Sequence, residues 1–249
     1  MYDTIQAISS ATYSVPGLMI DHPPRFHHPH KRLVFDIACP PNTVHDGEVQ
    51  FARWDSDGWE ELAIGDEEPV VDCLPSVFGY EPPNEGTIDW YLNFADPDLF
   101  GFYGGGLLAQ DELQVAEHPA LASLRHALFA DGFEPMTMSG SAPTPCTVIG
   151  APRRCVIDTA PSDLPGRSSG LYGNRFAAAS QDVVQSAVQP IDPPTLTNIL
   201  AIAAPPCGHG YYTAHDIEQI LATVVTGFAA VMQESRRLGQ DQVAIHTGF

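Results

Sequence analysis

Asn93–Glu117 reads NFADPDLFGFYGGGLLAQDELQVAE, and it places three consecutive glycines, Gly104, Gly105 and Gly106, four residues ahead of a Gln110-Asp111-Glu112 triplet that opens a helix-like segment. Three adjacent glycines give a core nothing to pack and are costly to order. Their use is to let backbone N–H groups approach a ligand closely. Gln110, Asp111 and Glu112 then stand where such a ligand would lie, an anion cradle beside candidate catalytic carboxylates. The competing reading is a tight turn followed by a helix whose first-turn acids complement the helix dipole.

Outward from this run, strands and helices alternate. Thr87–Phe94 is strand-like, and Gln110 to His126 reads as a helix interrupted near Pro119. Cys146–Gly150 and Arg154–Asp158 are two short strand candidates, followed by a Pro-, Ser- and Gly-rich surface excursion from Asp158 to Phe176. Within it, Leu171-Tyr172-Gly173-Asn174-Arg175 reads as a surface turn, with ligand contact as the alternative. A helix is expected over Ala177–Val188 and an apolar strand over Leu196–Ala203. Ala214–Arg237 is the strongest helical pattern. There Ile217, Ile220, Leu221, Val224, Val225, Phe228, Val231 and Met232 recur near helical spacing and predict a broad buried face. Such alternation predicts an α/β fold with a mixed central sheet flanked by helices. Ligands of such sheets bind at the C-terminal ends of strands, and the loops at Gly104, at Pro205–Gly210 and at Gly248 all follow strands.

Residues 1–87 read as a strand-rich N-terminal accessory region ahead of a main domain over 88–249. Arg32–Ala38 looks like a strand closed by Pro40-Pro41, and Val49–Trp54 with Asp57-Gly58 looks like a hairpin, the Asp-Gly pair supplying the positive φ of its turn. Glu81–Gly86 reads as the linker.

The order Asn93-Phe94-Ala95-Asp96, Gly104-Gly105-Gly106, Gln110-Asp111-Glu112, then Leu113, Val115 and Glu117-His118-Pro119, resembles the poly(ADP-ribose) glycohydrolases, which are elaborated macrodomains. The family pattern has Asp-Phe-Ala-Asn, a triple glycine, a short loop, Gln-Glu-Glu, apolar positions and a Pro; Asp111 stands here where the family has its first Glu. The resemblance implies a macrodomain-like three-layer fold. It also implies a glycosidase acting on ADP-ribose or poly(ADP-ribose) carried by modified proteins, with no cofactor and no metal. It makes Glu112 the general acid and then the base toward water, with Asp111 orienting ribose hydroxyls. Gly104, Gly105 and Gly106 would cradle the diphosphate with Gln110 beside them, and Asn93 with Asp96 would meet the adenosine end. The final strand, Val243–Ile245 with His246, would lead through Thr247, Gly248 and Phe249 into a second glycine-rich loop on the diphosphate. The sequence stops there, so either the natural chain runs on or the pocket is open on that side. Two rival functions stand beside this one, an ADP-ribose-binding module without catalysis and a structural or protein-interaction domain.

Composition narrows the field. Apolar content of 44% is that of a globular chain able to bury a core. With 31 acidic against 11 basic residues the formal charge is −20, so direct DNA or RNA binding, which needs clustered Lys and Arg, is not expected. A small anionic nucleotide is not excluded, because backbone N–H groups act over a few ångströms. Cys39, Cys73, Cys146, Cys155 and Cys207 contain no C-x-x-C pair and are expected to be reduced thiols. Cys207 next to His209 does not by itself make a nucleophile and base. His22, His27, His28 and His30 lie among prolines that fix no common face, so packing or solvation is expected of them and metal binding is not. No apolar stretch reaches the length of a membrane span, and a cytoplasmic location, or a nuclear one in a eukaryote, is expected.

Overall fold

The computed structural model describes residues 5–62, 70–73, 79–80, 85–205 and 210–247. In chain order the elements are β1 (Ala7–Ser14), α1 (Val15–Asp21), α2 (Pro29–Ala38), β2 (Glu48–Trp54), a 3-10 turn (Trp59–Glu61), β3 (Thr87–Phe94), α3 (Gln110–Glu117), α4 (Pro119–Ala130), the two-residue strands β4 (Met138–Ser139) and β5 (Ala142–Pro143), β6 (Cys146–Ile157), α5 (Arg175–Ala178), α6 (Gln181–Ala187), β7 (Val188–Ile202), α7 (Ala214–Arg237) and β8 (Gln242–His246). Six strands form one mixed sheet in the order β1-β2-β6-β7-β3-β8. The β1-β2, β2-β6 and β6-β7 pairs are antiparallel, while β3 runs parallel to both β7 and β8.

Alternation along each strand sorts side chains to two faces. On β2, Val49 and Phe51 join a core with α1 and α4 that includes Leu18, Leu121 and Leu124. Ala52 and Trp54 point the other way, against Ala230 of α7. On β3, Trp90 and Leu92 pack with Val231 of α7, and Trp90 Nε1 donates to Ser235 Oγ at 2.9 Å. Asn93 of β3 bonds instead to Asp111 of α3. The fold is therefore α/β, a mixed central sheet with helices on both faces, the three-layer arrangement expected of a macrodomain-like chain.

Several sequence expectations change. β1 and β2, from the region read as accessory (residues 1–87), lie in the main sheet and are joined to it through β6. Arg32–Ala38 is the body of helix α2, not a strand. His28 caps that helix by accepting from His30 N through Nδ1 at 3.2 Å, Pro29 starts it, and Lys31, Val34 and Ala38 form its buried face. Asp57-Gly58 does make the expected positive-φ turn, but the chain continues into the 3-10 turn instead of a returning strand. The two strands expected over 146–158 are one strand, β6, bent by register shifts near Gly150, whose φ is 77°. A Cβ there would lie 2.9 Å from the Glu48 carbonyl oxygen, so the glycine permits the bend.

Helix α7 has the expected bounds and buries Val231 of the expected face, but most of its buried positions are small residues beside that face. Ala222, Thr223, Thr226, Gly227, Ala230 and Ser235 face inward, while Ile217, Leu221 and Phe228 are exposed. A Cβ on Gly227 would stand 3.3 Å from Ile202, so the helix lies too close to the sheet for large side chains. Glu81–Asn84 of the expected linker and Pro206–His209 of the third loop fall outside the described residues.

Candidate functional site

Strands β3, β7 and β8 end at one edge of the sheet, and the chain leaving β3 builds the site there. Asp98 pairs with Arg125 of α4 through two hydrogen bonds of 2.6 and 2.9 Å, and Leu99 and Phe100 are fully buried. Phe100 has φ 55°, a conformation that costs a bulky residue and persists only where packing imposes it. The glycine loop follows.

A strap ahead of α2 holds that loop. The backbone N–H groups of His27 and His28 donate to the Gly104 carbonyl at 2.9 and 3.0 Å. Arg25 N donates to the Tyr103 hydroxyl at 2.6 Å, and Lys31 Nζ to the Tyr103 carbonyl at 2.9 Å. The fit is close. A Cβ on Gly104 would lie 2.6 Å from the Arg25 carbonyl oxygen, and one on Gly106 would lie 3.1 Å from Ala177 and 3.2 Å from the His28 ring. Gly105 has no such crowding, its nearest neighbour being the Phe102 carbonyl at 3.5 Å. None of the three glycines has a positive φ, so crowding against the strap at Gly104 and Gly106 explains two of them. The His-rich stretch thus packs against the loop; among the described residues no group of three or more His, Cys, Asp or Glu could hold a metal ion.

The triplet opens α3. Gln110 spends both ends of its amide on β3, accepting from Phe94 N at 2.8 Å and donating to the Leu92 carbonyl at 2.7 Å. This brace sets α3 against the end of the strand. Asp111 accepts from Asn93 Nδ2 at 3.1 Å, and Glu112 accepts from Ala109 N at 3.0 Å. Both carboxylates are more than nine-tenths buried. Burial pushes the Asp111 carboxyl up to about 7; donation from Asn93 and the Lys31 charge oppose this, and the neighbouring Glu112 and Asp96 add to it. Lys31, 2% exposed, is pushed down to about 8 by burial, against the pull of Glu112 and Asp111.

A cleft of about 590 Å³ lies over these groups, lined by Phe94, Ala95, Asp96, Phe102, Gly105, Gly106, Leu107, Ala109, Gln110, Asp111, Glu112 and Tyr172. It brings together Asp96, Gly105, Gly106, Gln110, Asp111 and Glu112 from the expected set. Asn93 is 0% exposed and sits beneath Asp111; its Oδ1 is buried without a hydrogen-bond partner. Gly104 is buried in the strap contact. Thr247 follows β8, while Gly248 and Phe249 fall outside the described residues. The cleft also uses groups outside the expected site set, one of them from the Leu171–Arg175 loop, where ligand contact was the alternative reading. Tyr172 reaches it from the excursion after β6, which is tied to the glycine loop by Gly173 N to Leu108 O at 2.9 Å and Leu108 N to Gly173 O at 3.3 Å. Phe102 is 57% exposed at the cleft mouth. An exposed aromatic within a glycine-rich loop was a readable signal for Phe102; nothing local marked Lys31.

Beneath the other end of α3, Glu117 pairs with Arg153 at 2.8 Å and accepts from Ile157 N at 2.7 Å. The Arg153 guanidinium lies 4.0 Å over the Tyr80 ring, whose hydroxyl accepts from Gln114 Nε2 at 3.0 Å. His118, wholly buried against Thr197, is pushed down to about 3 by burial and is neutral. This seam fixes α3, and hence the triplet, against β6 and β7.

No protein-family model and no curated protein sequence matches the chain. Among solved structures, the poly(ADP-ribose) glycohydrolase from Thermomonospora curvata matches with 15% identity over 62% of this chain, at a TM-score of 0.35. The chain spans 46% of that protein's length. A likeness this loose assigns no activity.

Proposed function

We propose that the protein is a glycohydrolase that cleaves the O-glycosidic ribose bond of ADP-ribose units, in poly(ADP-ribose) or on modified proteins. The observation that carries this reading is one cleft lined by Gly105, Gly106, Gln110, Asp111 and Glu112. Cleavage develops positive charge on the ribose and requires a proton on the leaving oxygen. Two adjacent buried carboxyls, one of them with a raised pKa, can hold that proton near neutral pH. Glu112 delivers it and then accepts one from the attacking water, while Asp111 stores the pair's proton and orients the ribose hydroxyls. The Gly105 N–H is committed to the Phe102 carbonyl at 3.1 Å, so the donors for a diphosphate are those of Gly106 and Leu107. Asp96, Phe102 and Tyr172 border the rest of the ligand.

A second reading has its own support. Glu112 Oε2 already accepts from Ala109 N, the bond of a helix-capping Glu, which suits an ADP-ribose-binding module without catalysis. Calorimetric titration with ADP-ribose, run beside an assay for ADP-ribose released from an O-linked substrate, separates the two. Binding with release supports the hydrolase. Binding without release supports the module, and neither would leave a structural or protein-interaction domain.

A further inference from the structure

We propose that Asn93 is a positioning residue for Asp111, its amide forming a reciprocal pair with the Asp111 carboxylic acid in which Nδ2 donates to one carboxyl oxygen and Oδ1 accepts the proton on the other. This deepens the hydrolase reading and rests on it for its use in turnover, but the pairing itself is independent of turnover.

A carboxamide and a carboxylic acid are matched partners, each offering a donor and an acceptor side by side. One half of such a pair is formed, Asn93 Nδ2 donating to Asp111 Oδ1 at 3.1 Å. The other half is open on the amide, whose Oδ1 is buried and meets no donor among the described residues. Asn93 is 0% exposed, so bulk water does not reach it, and a buried acceptor is ordinarily met by a donor. Ionised Asp111 has no donor to give; protonated Asp111 has an O–H next to the oxygen already bound. Turning the amide over would set Asn93 Oδ1 against Asp111 Oδ1, and that contact too needs a proton between the two oxygens. The backbone holds the two side chains in register. Gln110 grips the peptide groups on either side of Asn93, accepting from Phe94 N and donating to the Leu92 carbonyl, so the next residue, Asp111, is set over Asn93. Asn93 is also absent from the lining of the cleft, so a role through Asp111 replaces the ligand contact expected of it.

The surrounding charges leave that proton in place. Burial, the largest influence on Asp111, favours the protonated form, and Glu112 and Asp96 add to it, while Lys31 of α2 opposes it. Donation from Nδ2 taken alone also favours the ionised form, and the reverse bond to Oδ1 is what makes the amide suit the neutral acid. The other charged groups on the elements around α3 have partners of their own. Asp89 of β3 pairs with His246 of β8 at 2.6 Å, Arg125 of α4 with Asp98, and Glu117, at the far end of α3, with Arg153 of β6. His126 of α4 is bonded to the Tyr103 hydroxyl, His118 is neutral, and the Cys155 thiol on β6 is held protonated, chiefly by burial.

The test follows the Asn93 and Asp111 Cγ signals of the full chain by carbon-13 NMR across the Asp111 titration. A carbonyl carbon is deshielded while its oxygen accepts a hydrogen bond, so the wild-type Asn93 signal should move upfield with the Asp111 midpoint as the proton leaves. In Asp111→Asn the new amide N–H takes the place of the O–H, and the Asn93 signal should keep its low-pH position throughout. A wild-type Asn93 signal that stays still, or moves downfield as for an amide that only donates to a carboxylate, overturns the proposal. Asn93→Leu, checked for folding by far-UV circular dichroism, should lower release of ADP-ribose by about tenfold or more and leave ADP-ribose affinity within a few fold. Undiminished release by the folded variant overturns the positioning role. Should Asn93→Leu fail to fold, the wild-type titration decides alone. Coupled Asn93 and Asp111 signals in a wild type that releases no ADP-ribose would uphold the pair and reject the hydrolase.

Discussion

Asp111 and Glu112 are sequence neighbours with different hydrogen-bond partners, a side-chain amide for the first and a backbone N–H for the second. The raised pKa of Asp111, about 7 in the fold against an ordinary 3.8, means that the folded state binds its proton more tightly than the unfolded chain does. That stabilisation is complete below about pH 4 and is lost as pH rises through 7. Asp111→Asn keeps the acceptor for Asn93 and cannot ionise. Its melting temperature relative to wild type should therefore climb between pH 4 and 7 and end about 5 °C or more higher. A difference independent of pH would show that Asp111 is not held protonated. The glycines make a second contrast. Gly104→Ala must push the Arg25 carbonyl away and should cost about 1–3 kcal/mol in urea unfolding. Gly105→Ala meets no close atom and should leave stability nearly unchanged while weakening ADP-ribose binding in calorimetry. Equal destabilisation by the two would remove the strap as the reason for Gly104.

At the scale of elements, what the sequence disclosed depended on whether one pattern governed a segment. β3 and α7 have the bounds expected for them, and Pro119 separates α3 from α4 as its chemistry requires. α2 was hidden because its buried face includes a lysine, while Leu33-Val34-Phe35 imitates a strand. The face of α7 was legible only in part, at Val231, because apolar periodicity cannot report how near the sheet lies. Cleft residues in the triplet and glycine loop were legible from their spacing. Lys31 was not, since it arrives from a distant segment through tertiary pairing, and Tyr172 was legible only as the alternative reading of its loop. The orientation of α3 depends on Glu117 and Arg153, a pair 4% and 9% exposed. Glu117→Gln leaves the guanidinium buried without its counter-charge and should cost about 3–5 kcal/mol in urea unfolding. A cost under about 1 kcal/mol would mean that Tyr80 and solvent replace the pair.

For the whole molecule, one sheet joins the N-terminal strands to the site, so β1 and β2 support the same core that carries the triplet. Among the described residues no helix is long and apolar enough to cross a membrane. A net charge of −20 disfavours polyanions at low salt. The proposed activity is proton transfer by a carboxyl in a glycine-lined cleft. It is tested most directly by measuring ADP-ribose release from an O-linked substrate by wild type and Glu112→Gln, with ADP-ribose affinity measured alongside. The wild type should turn over repeatedly, and the variant should fall by about a hundredfold or more with affinity within a few fold of wild type. Full turnover in Glu112→Gln, or none in the wild type, would contradict the account.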